Sequence, residues 1–137
     1  MGLLKQFDNI DILCTDLDAM ADFYTEVLEL PLLFPREPSD DWFAVQGGAV
    51  TLYFFPGKGQ HPEPFVANSD ENPPGLECYS FVVEDLDAAV AWLDGRVAWL
   101  GPEEEWHHPS GTWYRFRYFH DPEGNKVSIT EPHKIQG

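Results

Sequence analysis

The chain contains the same four-residue phrase twice, as Asp16-Leu17-Asp18-Ala19 and as Asp85-Leu86-Asp87-Ala88. Each copy follows a run typical of a β-strand, residues 9–14 before the first and residues 78–83 before the second. After both copies, apolar residues recur at helical spacing. An Asp at the start of each helix would cap its free amide groups. The repeat therefore predicts two similar units, each beginning with a strand, a capping Asp and an amphipathic helix.

The elements that follow also correspond between the two halves. In the first half, residues 31–35 and 41–46 are predicted as short strands, and a Gly-Gly turn leads into a third strand over 49–55. The second half also has three predicted strands, the last two joined by an Asp-Pro-Glu-Gly-Asn turn: residues 96–100, 112–119 and 126–130. Both halves thus follow the order strand, helix, three strands.

The length and composition predict one folded domain. The chain has 137 residues, of which 43% are hydrophobic and 15% aromatic, which is enough to bury a core. We predict a single domain over 1–137, with a first module at 1–55 and a second module at 75–137. A linker rich in proline and polar residues, 56–74, separates them.

The charge excludes several classes of partner. A formal net charge of -16 with only 8 Lys and Arg argues against nucleic-acid binding.

The sequence also lacks signals for a membrane or for secretion. No segment is long enough to span a bilayer, and the N-terminus lacks the apolar core of a signal peptide. Two cysteines do not make a disulfide framework. We expect a cytoplasmic protein with neither nucleic acid nor membrane as a partner. Its acidity is explained either by solubility or by attraction of a cationic ligand.

Two further motifs extend the repeat into a family resemblance. Residues 22–28 (DFYTEVL) follow the first phrase, and residues 118–125 (YFHDPEGN) precede the last strand. With the internal repeat, and in this order, they resemble the vicinal oxygen chelate superfamily of glyoxalases, bleomycin resistance proteins and extradiol dioxygenases. The resemblance implies an α+β fold in which two tandem βαβββ modules form curled mixed sheets around a cleft. It also implies a homodimer.

The resemblance carries an expectation about metal binding. In the metalloenzymes of this family, a divalent metal is typically held by a His on the first strand of each module and by a Glu on a last strand. This chain has Asn9 and Cys78 at the His positions, and Thr51 and Ser128 at the Glu positions. Divalent metals in such sites need imidazole and carboxylate ligands, whereas this set offers at most one anionic donor. We therefore expect no metal and no other cofactor, with a divalent metal as the alternative.

Five histidines lie elsewhere in the sequence, and only two of them are adjacent. His107 and His108 would point to opposite sides of an extended chain, so a shared metal would need an unusual loop. A solvated loop pair is the expected structure for these two residues.

Strand alternation predicts which other side chains face the cleft. The predicted ligand-binding set combines aromatic rings with a few polar groups: Asn9, Asp11, Thr51, Tyr53, Cys78, Ser80, Tyr114, Phe116, Tyr118 and Ser128. An inward carboxylate at Asp11 would be costly to bury without a cationic group, and it could also accept a proton. Pairing with Arg115 or Arg117, or exposure to solvent, are the alternatives. The whole set could also fill a closed core.

Three classes of function remain. The preferred one is a glyoxalase/bleomycin resistance-like protein that binds a small organic molecule, such as a cationic aromatic compound, in a metal-free cleft. A second is a divalent-metal-dependent glyoxalase or lyase, a thiol transferase or a dioxygenase-type enzyme. The third is a metal-free enzyme or ligand sensor, for which Asp11 and Cys78 are the catalytic candidates, although Cys78 would need a neighbouring base. The sequence leaves open whether the protein is an enzyme.

Overall fold

The structure, a computed structural model, describes residues 2–59 and 74–135. The chain divides into two compact units, Met1–Gln60 and His61–Gly137. Each unit contains one β-sheet and one α-helix. These mixed sheets with few helices confirm the predicted α+β class. Most of the predicted linker, residues 60–73, lies outside the described residues. None of the helices in the described ranges is both long and apolar enough to cross a membrane.

Unit 1 contains a three-stranded sheet in the order β1-β3-β2. Strand β1 runs parallel to β3, and β2 is antiparallel to it. The bounds of its elements are β1 Asn9–Cys14, α1 Leu17–Asp22, a π-helical turn Phe23–Val27, β2 Phe43–Gly47 and β3 Val50–Pro56. The side chain of Asp16 accepts a hydrogen bond from the Ala19 amide at 3.0 Å, which confirms the first predicted cap.

The core of unit 1 is aromatic. Phe54 is fully buried, and its ring stacks on Phe43 with the centroids 4.3 Å apart. The buried ring of Tyr24, from the π-helical turn, lies 4.8 Å from Phe54 on the same face of the sheet. Ile12 and Leu52 extend this face, because alternate residues of a strand share a side. The helical segment therefore packs over one face of the sheet.

One predicted strand of unit 1 is wrong. Residues 31–35 form only an isolated bridge, Leu32 to Val45, beside β2. Two backbone hydrogen bonds support this bridge, from Leu33 to Ala44 and from Gln46 to Pro31. Proline lacks an amide hydrogen, so Pro31 and Pro35 limit the pairing at both ends of the segment.

Unit 2 contains five strands, in the order β4-β8-β7-β5 with β6 also paired to β7. Strand β4 is parallel to β8, and the other pairs are antiparallel. The bounds are β4 Tyr79–Val82, α2 Leu86–Leu93, β5 Ala98–Trp99, β6 Glu104–His107, β7 Trp113–His120 and β8 Lys126–His133. Asp85 caps α2 by accepting from the Ala88 amide at 3.2 Å, so the second predicted cap is also confirmed.

Strand β6 was not predicted, and it corrects the expectation for the histidine pair. His107 belongs to β6 rather than to a loop, and its ring stacks on Trp113 of β7 at 5.2 Å. His108, just beyond the strand, places its ring 5.8 Å from Trp106 instead. The two histidines therefore contact different tryptophans on this edge of the sheet.

The turn between β7 and β8 is organised by Asp121. Its carboxylate accepts hydrogen bonds from the backbone amides of Glu123 and Asn125, at 3.0 and 2.9 Å. The Asn125 side chain donates to it as well, at 2.8 Å. Gly124 adopts a φ of 87°, a left-handed conformation that favours glycine. The Asp-Pro-Glu-Gly-Asn motif therefore fixes how β7 and β8 pair.

Glu131 of β8 connects the sheet to the start of α2. Its buried carboxylate accepts a hydrogen bond from the Leu86 amide at 2.7 Å and another from His133 at 2.6 Å. Arg115 approaches the same carboxylate at 3.5 Å while also pairing with Asp87. The hydrogen bond from the Leu86 amide is the largest cause of a lowered pKa for Glu131, followed by the bond from His133.

This lowered pKa predicts an acid-sensitive contribution to stability. The Glu131 carboxylate stabilises the fold above the pKa of an unfolded Glu, about 4.3, and its contribution is lost as the pH falls through the lower folded value. We expect Glu131→Gln to be less stable than the wild type at pH 7 and the difference to shrink on acidification toward pH 3. Urea unfolding of the wild type and the variant, followed by circular dichroism at pH 7 and at pH 3, measures this difference in the free energy of unfolding. Glu84→Gln removes an exposed carboxylate of unit 2. Its difference in stability from the wild type should not change between pH 7 and pH 3.

Candidate functional site

A cavity of about 340 Å³ lies within unit 2. It is lined by four aromatic residues and three serine or threonine residues: Ser80, Trp106, Tyr114, Phe116, Tyr118, Ser128 and Thr130. All of these residues are on strands β4, β6, β7 and β8, so the whole lining belongs to one sheet.

The register of the strands explains why these side chains meet. Trp106 is opposite Tyr114, and Tyr118 is opposite Ser128, which in turn is opposite Ser80. Cross-strand partners point to the same side of a sheet, and every second residue along a strand does so too. The core residues Phe119 and Val127 alternate with this set and point to the other side. The cavity therefore occupies the face of the sheet away from its buried core.

The aromatic rings line an open site. Trp106 and Tyr114 have centroids 5.6 Å apart with their planes at 42°, and Phe116 and Tyr118 form an edge contact at 5.5 Å. Trp106 remains 49% exposed, so its ring borders solvent. Such tilted and edge contacts leave ring faces accessible to a further planar group.

The opposite end of the lining is polar. The hydroxyl groups of Ser80 and Ser128 are hydrogen-bonded to each other. The ammonium of Lys126 lies 4.1 Å from the centre of the Tyr118 ring and forms an ion pair with Glu77 at 2.5 Å. Burial, with smaller contributions from nearby anionic groups, raises the pKa of Tyr118 to about 12. Tyr118 is therefore a neutral phenol at physiological pH.

Cys78, two residues before Ser80, has a half-buried free thiol. Burial raises the pKa of this thiol, and the opposing effect of Lys126 is smaller. A thiol with a raised pKa is a poor nucleophile, because the thiolate is the reactive form. These surroundings favour an inert side chain at this position.

The residues at the four aligned metal positions do not fit a divalent ion. Asn9 donates to Asp11 at 2.7 Å, and Thr51 donates to Gln46 at 3.1 Å. Ser128 is bonded to Ser80, so the free thiol of Cys78 is the only one of the four groups that could become anionic. Within residues 2–59 and 74–135, no three His, Cys, Asp or Glu side chains gather in a way that could hold a metal. Amide and hydroxyl groups lack the basic donors that such ions require, and a single thiol does not make a divalent-metal site.

The predicted site residues of the first module lie together on the sheet of unit 1. Asn9 and Asp11 of β1 pair with Thr51 and Tyr53 of β3, on the face opposite the buried Phe54. Asp11 is exposed on this face, and a ligand-binding or proton-accepting role for its carboxylate stays a prediction.

The proposed partners of Asp11 are engaged within unit 2. Arg115 bonds to Glu103 at 2.8 Å and also contacts Asp87. Arg117 donates to the Gly101 carbonyl at 2.8 Å.

Five predicted site residues of the second module line the cavity: Ser80, Tyr114, Phe116, Tyr118 and Ser128. Trp106 was missed, because the segment Glu104–His107 is too polar to indicate a strand by composition. The Pro-Ser-Gly run at 109–111 was the available signal, since a turn there folds residues 104–107 back onto 113–116. Reading that run as a hairpin would have placed Trp106 opposite Tyr114.

Comparison with known proteins gives one family match. Residues 6–129 match the model of the Glyoxalase/Bleomycin resistance protein/Dioxygenase superfamily. The uncharacterized protein YaeR of Escherichia coli (strain K12) is 31% identical over 134 residues, which cover 93% of this chain and 97% of that protein.

Two solved structures show the same fold at lower identity. The antibiotic binding protein TnmS3 from Streptomyces sp. CB03234 is 24% identical, with a TM-score of 0.64 over 97% of this chain and 100% of that chain. A lactoylglutathione lyase from Agrobacterium tumefaciens is 20% identical, with a TM-score of 0.63 over 95% and 96%. At these identities the likeness concerns the fold alone.

Proposed function

Since this chain belongs to the Glyoxalase/Bleomycin resistance protein/Dioxygenase superfamily, we propose that it binds a small planar aromatic molecule in the cavity of unit 2 without a metal. The observation that carries the proposal is the lining of four aromatic residues and three serine or threonine residues around a volume of about 340 Å³. Ring faces supply contact area, and the hydroxyl groups orient the ligand.

The dimensions support this class of ligand. A volume of about 340 Å³ lies at the lower end of the range for small-molecule sites, so this open cavity has room for a compound of two or three fused rings. One solved structure with this fold, TnmS3, is described as an antibiotic binding protein, and that description agrees with a binding role.

Binding is favoured over catalysis by the protonation of the polar groups. The Cys78 thiol and the Tyr118 phenol both have raised pKa values, so neither is a ready nucleophile or base near neutral pH. The hydroxyl groups of Ser80 and Ser128 form a hydrogen bond with each other rather than with a histidine ring. The polar groups around this cavity are therefore suited to orienting a ligand.

The proposal predicts metal-independent binding of simple aromatic probes. Isothermal titration calorimetry with N-methylacridinium and with acridine, at pH 8 where acridine is uncharged, should give one saturable site per chain. For ligands of this size we expect dissociation constants of roughly 10 µM to 1 mM. Dialysis against EDTA should leave them unchanged. Absence of saturable binding for both probes, or loss of binding after EDTA, would contradict the proposal.

A further inference from the structure

We propose that a separate cavity, in unit 1, binds a small zwitterionic molecule whose carboxylate contacts Arg36 and whose ammonium group faces Glu37. This site lies apart from the cavity of unit 2 and goes beyond the proposed function. The inference follows from a buried arginine nitrogen without a hydrogen-bond acceptor, from a matching arginine in unit 2 and from the charges of the lining.

The cavity lies beside the first turn of α1. Its volume is about 180 Å³, and it is lined by Asp18, Arg36, Glu37 and Pro38. The guanidinium of Arg36 forms an ion pair with Asp18 at 2.9 Å and lies 5.6 Å from the centre of the Phe43 ring. These two contacts hold the side chain, which is 25% exposed, in the wall of the cavity. The guanidinium is therefore positioned before any ligand binds.

Arg36 has more donor groups than acceptors. A guanidinium carries five N–H donors, whereas Asp18 is the only acceptor that pairs with Arg36 among the described residues. The Nε nitrogen of Arg36 is buried and has no hydrogen-bond partner within residues 2–59 and 74–135. A buried donor without an acceptor costs free energy, and a charged acceptor binds a guanidinium most strongly. This imbalance favours a ligand that brings a carboxylate to Arg36.

Arg115 of unit 2 shows how a second carboxylate is accommodated. Asp18 and Asp87 are the third residues of the two repeated phrases, and each forms an ion pair with an arginine, at 2.9 and 2.8 Å. The two arginine side chains are similarly exposed, at 25% and 21%. Arg115 also donates from Nε and Nη2 to the Glu103 carboxylate, at 3.0 and 2.8 Å. An arginine paired with this Asp can therefore hold another carboxylate, and for Arg36 we expect a ligand to supply it.

The charges of the lining define the rest of the ligand. Asp18 and Glu37 are negative and Arg36 is positive, so a simple anion would gain one contact and be repelled by two carboxylates. The Glu37 side chain is exposed, and no cation pairs with it in the part of the chain that the structure describes. An ammonium group on the ligand would meet Glu37 while the carboxylate contacts Arg36. A volume of about 180 Å³ suits a compact molecule such as an amino acid.

Three probes of similar size test this assignment by NMR. The zwitterion γ-aminobutyrate carries both charges, butyrate only the carboxylate, and butylamine only the ammonium group. Proton–nitrogen correlation spectra resolve the Nε–H signals of arginine side chains, and Arg36→Lys identifies the signal of Arg36 by its loss. We expect γ-aminobutyrate to shift this signal saturably, with a dissociation constant on the order of 10 mM. Butyrate should bind about threefold more weakly, and butylamine should leave the signal unchanged.

The experiment has an internal control and a pair of control variants. The Nε–H signal of Arg115, which already donates to Glu103, should not move with any probe. Glu37→Gln should bind γ-aminobutyrate and butyrate with equal affinity, because it lacks the carboxylate that faces the ammonium group. Asp22→Asn removes an exposed carboxylate of unit 1 that does not line the cavity, and it should keep the wild-type preference.

Each alternative outcome would overturn part or all of this assignment. If no probe shifts the Arg36 signal saturably, the site does not exist. If the Arg115 signal shifts equally, the effect is a general response to ions and the site is again rejected. Equal affinity of the wild type for γ-aminobutyrate and butyrate would reject the zwitterion. Arg36→Lys should bind N-methylacridinium like the wild type, so failure in unit 1 and failure of the proposed function in unit 2 are separately visible.

Discussion

Replacing Phe54 with alanine is expected to lower the free energy of unfolding by about 3–5 kcal/mol. Phe54 is fully buried, between the stacked ring of Phe43 and the tilted ring of Tyr24. Its removal leaves a cavity that strand β3 cannot close without breaking its pairing with β1 and β2. Since small domains are stable by only about 5–15 kcal/mol, the variant should unfold at a much lower urea concentration than the wild type.

The neighbouring residue is the matched control for this substitution. Phe55 follows Phe54 in β3 but points to the other face, where it is only partly buried and stacks on Tyr53 at 6.1 Å. Phe55→Ala removes the same number of atoms, and we expect it to cost about 1 kcal/mol. Urea unfolding of both variants, followed by circular dichroism, gives the comparison. If Phe54→Ala and Phe55→Ala lowered the free energy of unfolding equally, burial on the helix side of the sheet would not determine its stability.

The repeated phrase predicted the fold because its information is local. Asp16 and Asp85 each accept from an amide three residues later, and this geometry depends on neighbouring residues alone. Once the two helices are located, the parity of the preceding strands follows from the alternation of side chains. Accordingly, the buried Ile12 alternates with the exposed Asp11 along β1, and the partly buried Phe81 alternates with the exposed Ser80 along β4.

The two errors in strand assignment have different causes. Leu32 forms only a bridge with Val45, because prolines on both sides of its segment restrict the pairing. The polar strand Glu104–His107 exists because β7 offers it a free edge, which composition does not reveal. Trp106 was missed for that reason.

Trp106 is expected to provide the largest contribution to ligand affinity among the lining residues. Its ring is the largest in the cavity and lies beside Tyr114 with a face toward solvent. Aromatic residues at such positions commonly contribute about 2 kcal/mol or more to binding. We therefore expect Trp106→Ala to weaken the binding of both N-methylacridinium and acridine by about 30-fold or more. The loss should be similar for the two probes, since ring contact does not depend on ligand charge.

Trp92 is the control that separates this contact from a general effect of losing a tryptophan. It is 41% exposed, close to the 49% of Trp106, and belongs to unit 2 as well. It lies on α2, where the Arg96 guanidinium covers its ring at 5.0 Å, and it does not line the cavity. Trp92→Ala should keep the wild-type affinity for both probes. If it weakened them as much as Trp106→Ala at equal fold stability, the probes would be binding outside the cavity described here, and the aromatic site would have to be abandoned.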